Sequence, residues 1–93
     1  MINQRIPNLL RRYRRARGLN QQQAAEIIGV SSANMISRWE KGWSVPSGIN
    51  VFKLAALYRT MADVLFPNLT TILRQKILRR EKRLLKADSA KAA

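Results

Sequence analysis

The most informative part of this chain for its fold is residues 18–42, G-L-N-Q-Q-Q-A-A-E-I-I-G-V-S-S-A-N-M-I-S-R-W-E-K-G. Its first half predicts a helix over about 21–28. Asn20 and Gln23 have the spacing of a capping box at the start of that helix, and Gly29 is a favourable residue at its end. A second helical segment follows after a few residues. Two short helices joined by a glycine-centred turn predict a helix-turn-helix.

The second helix of this pair is predicted to be capped by Ser31 or Ser32 and to stop at Gly42. Ile36 and Trp39 lie on one side of it and are predicted to pack into the core. The residues spaced i, i+3, i+4 and i+7 share the opposite, polar side: Asn34, Ser37, Arg38 and Lys41. This helix therefore has one side for the core and one side for a partner.

Helical spacing continues on both sides of the pair, and no segment alternates as a strand does. A first helix is predicted to start after Pro7, and its buried face is predicted to be Ile6, Leu9, Leu10 and Tyr13. Ser47 is a favourable cap for a fourth helix, whose inward stripe is predicted to be Val51, Leu54, Ala55 and Tyr58. A fifth, short helix is predicted over 63–66, closed by Pro67.

The segment from Asn68 to about Lys86 is helical in pattern again, with basic residues around a narrow apolar strip. A lone helix of this kind is marginal in water. We expect it to dock on the domain or to pair across a dimer, with a DNA arm, membrane association and disorder as the alternatives. The predicted fold class is all-α, a compact five-helix bundle with a helix-turn-helix plus an additional C-terminal basic helix.

The chain has 93 residues and contains neither cysteine nor histidine. Thiolate and imidazole metal sites are therefore excluded, and the usual nucleophile–base pairs have no side chains to form them. We expect no metal, no cofactor and no enzymatic activity. No apolar run approaches the roughly 20 residues that span a bilayer, and a chain without cysteine suits a reducing compartment. A cytoplasmic protein with no membrane partner is expected.

The net charge is +13, and the basic excess lies at the two ends. Residues 1–20 carry six arginines and no acidic residue, and residues 68–93 carry eight basic residues against two acidic ones. Residues 21–67, between them, have a net charge of only +1. Such a chain attracts a polyanion. Nucleic acid is the favoured partner, with an anionic membrane surface or an acidic protein as the alternatives.

Further segments stand in order after the helix pair: P-S at 46–47, N-V-F-K-L-A at 50–55 and D-V-L-F at 63–66. Together with G-L-N-Q-Q-Q-A-A-E-I-I-G-V at 18–30 and I-S-R-W-E-K-G at 36–42, they resemble the phage-repressor/Cro-like (XRE) helix-turn-helix family. The resemblance covers residues 6–66 and implies a repressor-like bundle of five helices that binds operator DNA as a dimer. We accordingly expect a DNA-binding domain over 1–67 and a basic C-terminal helix and tail over 68–93, for dimerisation or DNA contact.

The resemblance also implies roles for single residues. Gln21 matches a glutamine that meets DNA at or near its backbone, at the start of the second helix. Arg14 and Glu40 match a partly buried salt bridge between the first and third helices. Two departures are visible. The interval 29–42 is one residue longer than usual, and Arg59 stands where a glycine often closes the fourth helix.

The third helix is predicted to lie in the major groove of double-stranded DNA. The residues predicted to read bases are Ala33, Asn34, Ser37 and Arg38. Those predicted to contact the DNA backbone are Gln21, Ser32, Lys41, Trp43, Ser44, Ser47, Arg11 and Arg12. Arg38 can form a bidentate contact with guanine, and Asn34 can do so with adenine. For Trp43, contact with a sugar, a dimer contact and a cover over the core remain open.

The predicted function is sequence-specific binding of double-stranded DNA by a small transcriptional regulator, a repressor that acts as a homodimer. The alternative is the antitoxin of a toxin–antitoxin pair, whose C-terminal helix would bind a toxin partner. A nucleic-acid binder without sequence preference, or an RNA-linked coactivator, is a third interpretation. Such a protein would keep a steep salt dependence while showing no preferred sequence.

Overall fold

Six helices account for the secondary structure of the described part of the chain, and no strand occurs there. The computed structural model describes residues 5–92, with side chains described through Lys86. The helices are α1 Leu10–Ala16, α2 Gln21–Ile28, α3 Ala33–Glu40, α4 Gly48–Tyr58, α5 Ala62–Leu65 and α6 Pro67–Ala92. The all-α prediction is confirmed, and so are the predicted bounds of α2.

The core lies where α1 to α5, called the bundle below, converge. Its buried apolar side chains are Leu10, Ala24, Ala25, Ile28, Ile36, Trp39, Leu54, Ala55, Tyr58, Leu65 and Phe66. Ala24 and Ala25 are almost fully buried on α2, which contacts both α3 and α4. Their small side chains allow close helix approach, and this holds the helix-turn-helix pair together.

The first four helices end in the same backbone motif. After α2, the Val30 N–H donates to the Ala25 carbonyl over 3.0 Å and the Gly29 N–H to Glu26 over 3.2 Å. This pair of bonds defines a Schellman motif, whose turning residue adopts a left-handed conformation. Glycine supplies it after α1, α2 and α3, whereas Arg59 supplies it after α4, with φ of 54°. The turn after α4 therefore keeps the motif at the cost of a strained non-glycine residue.

The helix α1 begins at Leu10, two residues later than the sequence predicts. Asn8 explains the difference, because its Oδ1 accepts the Leu10 N–H over 3.1 Å and so replaces the missing helical partner. Ile6 and Leu9, predicted to lie on the buried face of this helix, precede it. The Ile6 N–H instead donates to the Gly42 carbonyl over 2.9 Å, which fastens the N-terminal segment to the end of α3.

The boundary between α5 and α6 also differs from the prediction. Helix α5 begins at Ala62 and ends at Leu65, and Pro67 is the first residue of α6 rather than the end of α5. Proline suits that place, because the first helical N–H needs no partner and the fixed φ is already helical. Helix α6 then continues to Ala92, beyond the predicted end near Lys86.

Among its described side chains, which end at Lys86, helix α6 contacts the bundle only at its start. Leu69 packs against the core, whereas every side chain from Thr71 to Lys86 is exposed. The expectation that this helix docks along the domain is therefore wrong for those residues. No helix among the described residues is long and apolar enough to cross a membrane.

Candidate nucleic-acid interface

Helix α3 separates its apolar and polar residues onto opposite sides. Ile36 and Trp39 are buried, and Asn34 and Arg38 are exposed, with Ser37 half-buried between them. The apolar side locks α3 onto the bundle, so that the polar side has a defined direction. Of the side chains predicted to read bases, Asn34 and Arg38 therefore project from a rigid element into solvent, whereas Ala33 and Ser37 are half-buried.

The interval 29–42 contains the turn before α3 and all of α3. The helix begins at Ala33, and Ser32 occupies the N-cap position with an extended backbone, but no hydrogen bond caps the helix through its side chain. Residues 30–32 therefore form the turn between α2 and α3. Ala33 and Asn34 lie in the first helical turn, where side chains can meet base edges in a helix-turn-helix.

A buried ion pair joins α1 to the end of α3. The Arg14 Nε donates to Glu40 Oε2 over 2.6 Å and its Nη2 donates to Oε1 over 3.1 Å. Arg14 Nη1 also donates to the Leu19 carbonyl over 2.7 Å. The Glu40 side chain is only 3% exposed. The hydrogen bond between Arg14 and Glu40 raises the pKa of the Arg14 guanidinium above its ordinary value. This geometry satisfies the charges of both buried groups.

Gln21 is attached to that ion pair. Its Nε2 donates to Glu40 Oε1 over 3.2 Å, so the amide is held at the first turn of α2. The predicted capping box at the start of the same helix is confirmed. The Asn20 side chain accepts from the Gln23 N–H over 2.7 Å and the Gln23 side chain accepts from the Asn20 N–H over 2.9 Å. The Gln21 bond joins the N-terminus of α2 to the end of α3, whereas the capping box holds the first turn of α2 itself.

A groove of about 330 Å³ runs along the surface next to this pair. It is lined by Arg5, Arg11, Gln21, Ser37, Glu40 and Lys41. Four of the residues predicted to contact DNA thus surround one concave and mainly basic surface. Arg12 lies outside it and lines a neighbouring groove of about 490 Å³ with Arg15.

Trp43 lies on the surface and is not a cover over the core. It is 54% exposed. The Lys41 Nζ lies 4.8 Å from the centre of its ring, and the Arg5 Cζ lies 5.9 Å from it. Cations at these distances are attracted to the indole face. The Trp43 ring therefore holds the charged groups of Lys41 and Arg5 close together at the end of α3.

The turn before Trp43 requires glycine for two independent reasons. Gly42 has φ of 77°, in the left-handed region. A Cβ at this position would come within 2.5 Å of the Ile6 carbonyl oxygen. The close approach of the N-terminal segment, and with it the position of Arg5 near Trp43, depends on the missing side chain.

The two predicted serines on the loop after α3 lie outside the groove. Ser47 is exposed, and its hydroxyl accepts the Asn50 N–H over 3.5 Å, as predicted for the cap of α4. Ser44 is half-buried. Among the described residues, no three His, Cys, Asp or Glu side chains lie close enough to share a metal ion.

The sequence patterns did not identify two residues of this region, Asn8 and Arg5. Asn8 Nδ2 donates to the Ile6 and Trp39 carbonyls, each over 3.0 Å, and so joins the N-terminal segment to α3. An asparagine directly before an apolar helical run is a recognised cap signal and could have identified it. Arg5 has no local signal, because only the folded chain brings it beside Trp43.

Tyr58 lies in the core behind the ion pair. It is 3% exposed, and its hydroxyl has no hydrogen-bond partner among the described residues. Burial and, secondly, the charge of Glu40 raise the pKa of Tyr58 to about 12. The phenol is therefore held neutral at any physiological pH.

A sequence model of the helix-turn-helix family matches residues 10–64, more than half of the chain. The chain belongs to that family, in its Cro/C1-type (XRE) branch, and is a DNA-binding regulator of transcription in the general sense of the family. The matched region runs from the start of α1 into α5 and contains the helix pair with its buried ion pair. Neither the curated proteins nor the solved structures give a match.

Proposed function

We propose that this protein is a repressor that binds a specific operator in double-stranded DNA with α3 in the major groove. The observation that carries the proposal is the division of α3 into a buried side, with Ile36 and Trp39, and an exposed side, with Asn34 and Arg38. A recognition helix needs both, because base edges can be read only by side chains whose helix has a fixed orientation.

Base recognition is assigned to the exposed side of α3. Arg38 can donate two hydrogen bonds to guanine O6 and N7, and Asn34 can pair with adenine N6 and N7. Each such contact discriminates against the wrong base by about 1–3 kcal/mol. Ser37 and Ala33 are proposed to complete the set, the serine through its hydroxyl and the alanine through contact with a thymine methyl.

Backbone contact is assigned to the basic surface that surrounds α3. Arg11, Gln21 and Lys41 line the groove beside Ser37. The ring of Trp43 has cation–π contacts with Lys41 and Arg5. Phosphate contacts of this kind position a protein on the duplex and carry no sequence information directly. Further phosphate contacts are proposed at the edges of this surface: Ser32, Ser44, Ser47 and Arg12.

We further propose that the protein binds as a two-fold dimer. Its two recognition helices would then meet successive major grooves, with half-sites about 34 Å apart, one turn of DNA. The expected operator is therefore an inverted repeat.

The experiment for base reading is selection of bound duplexes from a random pool, followed by salt titration of the selected duplex. Wild-type protein is expected to enrich an inverted repeat. The Arg38→Ala variant is expected to lose preference at one base pair of each half-site and to keep weak, salt-dependent binding.

The matched control is Arg12→Ala, which removes the same charge outside α3. It should weaken binding about equally for all sequences and lower the slope of log affinity against log salt by about one. If wild-type protein enriches no sequence, specific recognition is wrong. If Arg38→Ala and Arg12→Ala behave alike, the assignment of Arg38 to base reading is wrong.

A second candidate function, the antitoxin of a toxin–antitoxin pair, is favoured by an apolar surface away from α3. Ile27, Ala56 and Leu57 line a concavity of about 390 Å³ between α2 and α4. Phe52, one turn before Ala56, is 73% exposed. A patch of this kind on a small domain suits a protein partner. Co-purification with the product of an adjacent gene, abolished by Phe52→Ser while DNA binding persists, would support this function.

A further inference from the structure

Helix α6 leaves a series of large apolar side chains uncovered. Leu73, Ile77, Leu78, Leu84 and Leu85 are between 47% and 63% exposed. Together with Ile72, which is 48% exposed on another side of the helix, they are more than the scattered apolar side chains of an ordinary surface. A helix that projects from its domain in this way is marginal in water and needs a partner.

The residues of α6 divide between two opposite sides. At 100° per residue, the five apolar residues fall within an arc of about 140°, which we call the α6 apolar face. Thr70, Leu73, Arg74, Ile77 and Leu78 already form a concavity of about 360 Å³ on that face. The opposite side carries the basic residues Lys76, Arg79, Arg80, Lys82, Arg83 and Lys86. The helix can therefore be covered on one side without burying these six charges.

Two oppositely charged residues lie in the middle of the α6 apolar face. Arg74 and Glu81 are seven residues apart, two turns of helix, and so point in nearly the same direction. Glu81 is the only acidic residue between Asn68 and Lys86. Its neighbours three and four residues away are all apolar: Ile77, Leu78, Leu84 and Leu85. No basic residue of its own helix is therefore placed to pair with it by the usual spacing.

We propose that the α6 apolar face pairs with the same face of a second copy in antiparallel orientation, with the two-fold axis between Ile77 and Leu78. Arg74 lies three and a half residues before that axis and Glu81 three and a half residues after it, each about 5 Å along the helix. Antiparallel pairing thus places Arg74 of each copy opposite Glu81 of the other. A two-fold interface repeats the contact, so the pair forms twice.

Charge selects this arrangement over its alternatives. In a parallel pair, Arg74 would face Arg74 and Glu81 would face Glu81, and both contacts would be repulsive. In the antiparallel pair the contacts are attractive, and the basic sides of both helices point outward, away from each other. An acidic protein would be drawn to the basic side and would leave the α6 apolar face exposed. Polar residues inside an apolar helix seam are known to fix orientation in this way.

The inference rests on the dimer of the proposed function and specifies its interface, but it does not depend on which bases α3 reads. It is tested first without DNA, by sedimentation equilibrium of the full chain. Arg74→Glu and Glu81→Arg are each expected to raise the dimer dissociation constant about tenfold, because two attractive contacts become repulsive. The double variant restores opposite charges and is expected to return to within about threefold of wild type.

The matched control is Arg79→Glu, which makes the same charge change on the opposite side of α6 and should not weaken the dimer. Circular dichroism confirms that each variant remains helical. A wild-type protein that stays monomeric overturns the pairing. A dimer that is insensitive to the two reversals, or not rescued by the double variant, overturns it as well, while DNA selectivity can still be found intact.

Cysteine cross-linking gives a second, independent test, because the chain has no cysteine of its own. A mixture of the Arg74→Cys and Glu81→Cys proteins is expected to form mainly the mixed disulfide. Self-linked dimers of each variant as the main product would indicate the parallel arrangement and overturn the proposal. No cross-linking in any mixture would overturn it too.

Discussion

The bundle and α6 contain the same kinds of apolar side chain, yet only the bundle covers them. Leu10, Leu54 and Leu65 are at most 2% exposed, whereas Leu73 and Leu84 of α6 are 47% and 63% exposed. Both regions have helical spacing of apolar residues. The difference is that α1 to α5 direct their apolar sides toward one centre, while the described side chains of α6 beyond its first turn are all exposed.

An apolar helix face predicts that another surface covers it, but it does not identify that surface. In the bundle the cover is another part of the same chain, and stability follows from burial within one molecule. In α6 the apolar side can be covered only by another molecule. The stability of this helix is therefore expected to depend on protein concentration. Truncation of a side chain should therefore lower the free energy of unfolding strongly in the bundle and only weakly on α6.

The largest effect is expected from breaking the buried ion pair. Arg14→Ala should lower the free energy of unfolding by about 3–5 kcal/mol, because Glu40 is left charged and buried without its partner. Urea denaturation followed by circular dichroism measures this. Arg79→Ala, the same substitution on the exposed side of α6, should change stability by less than about 0.5 kcal/mol. Equal effects of the two substitutions would contradict the structural role of the pair.

The next effect compares two apolar truncations. Leu54→Ala should cost about 3 kcal/mol, since it removes contacts from the closed core. Ile72→Ala on α6 should change stability by no more than about 0.5 kcal/mol, since Ile72 is exposed and lies off the α6 apolar face. The two denaturation curves, recorded at the same protein concentration, test the difference. A large loss for Ile72→Ala would mean that α6 is covered by the bundle after all.

A pH effect is expected from Tyr58. Its pKa in the folded protein is raised to about 12 from the ordinary value of 10.0. The unfolded state therefore ionises first as the pH rises. Below pH 10 the neutral Tyr58 leaves the free energy of unfolding at its full value. As the pH rises from 10 through 12 this stability is lost, and the free energy of unfolding is about 2 kcal/mol lower at pH 12.

Tyr58→Phe is the control for that pH effect. Below pH 9 the variant should be as stable as wild type or slightly more so, because the buried hydroxyl has no partner to lose. Above pH 10 it should lose less stability than wild type. If the two proteins lose stability in parallel up to pH 12, the raised pKa is not the cause.

The smallest effect is expected at the helix ends. Arg59→Gly should raise the free energy of unfolding by up to about 1 kcal/mol, because glycine adopts the left-handed conformation without strain. Gly29→Ala should lower it by about 1 kcal/mol through the same conformational term, since an added Cβ at that position meets nothing within 4 Å. Thermal or urea unfolding of both variants checks the opposite signs.

Several features of the fold could be predicted from neighbouring residues alone. The capping box of Asn20 and Gln23, the glycine after α2 and the opposite placement of Trp39 and Arg38 on α3 each depend on short spacings. The predicted start of α1 directly after Pro7 was wrong, because the side chain of Asn8 accepts the Leu10 N–H and the helix begins at Leu10. The assignments of single residues to bases or phosphates, and the division into two domains, stay predictions.

A set of short helices with a helix-turn-helix and a basic C-terminal extension follows from the amino-acid sequence, because capping, turn and helical periodicity are local properties. The position of Arg5 beside Trp43 and the close approach of the N-terminal segment to Gly42 are visible only in the folded chain. The same is true of α6, which leaves the bundle with its apolar side uncovered. These outcomes depend on contacts between residues far apart in the chain, which no short spacing encodes.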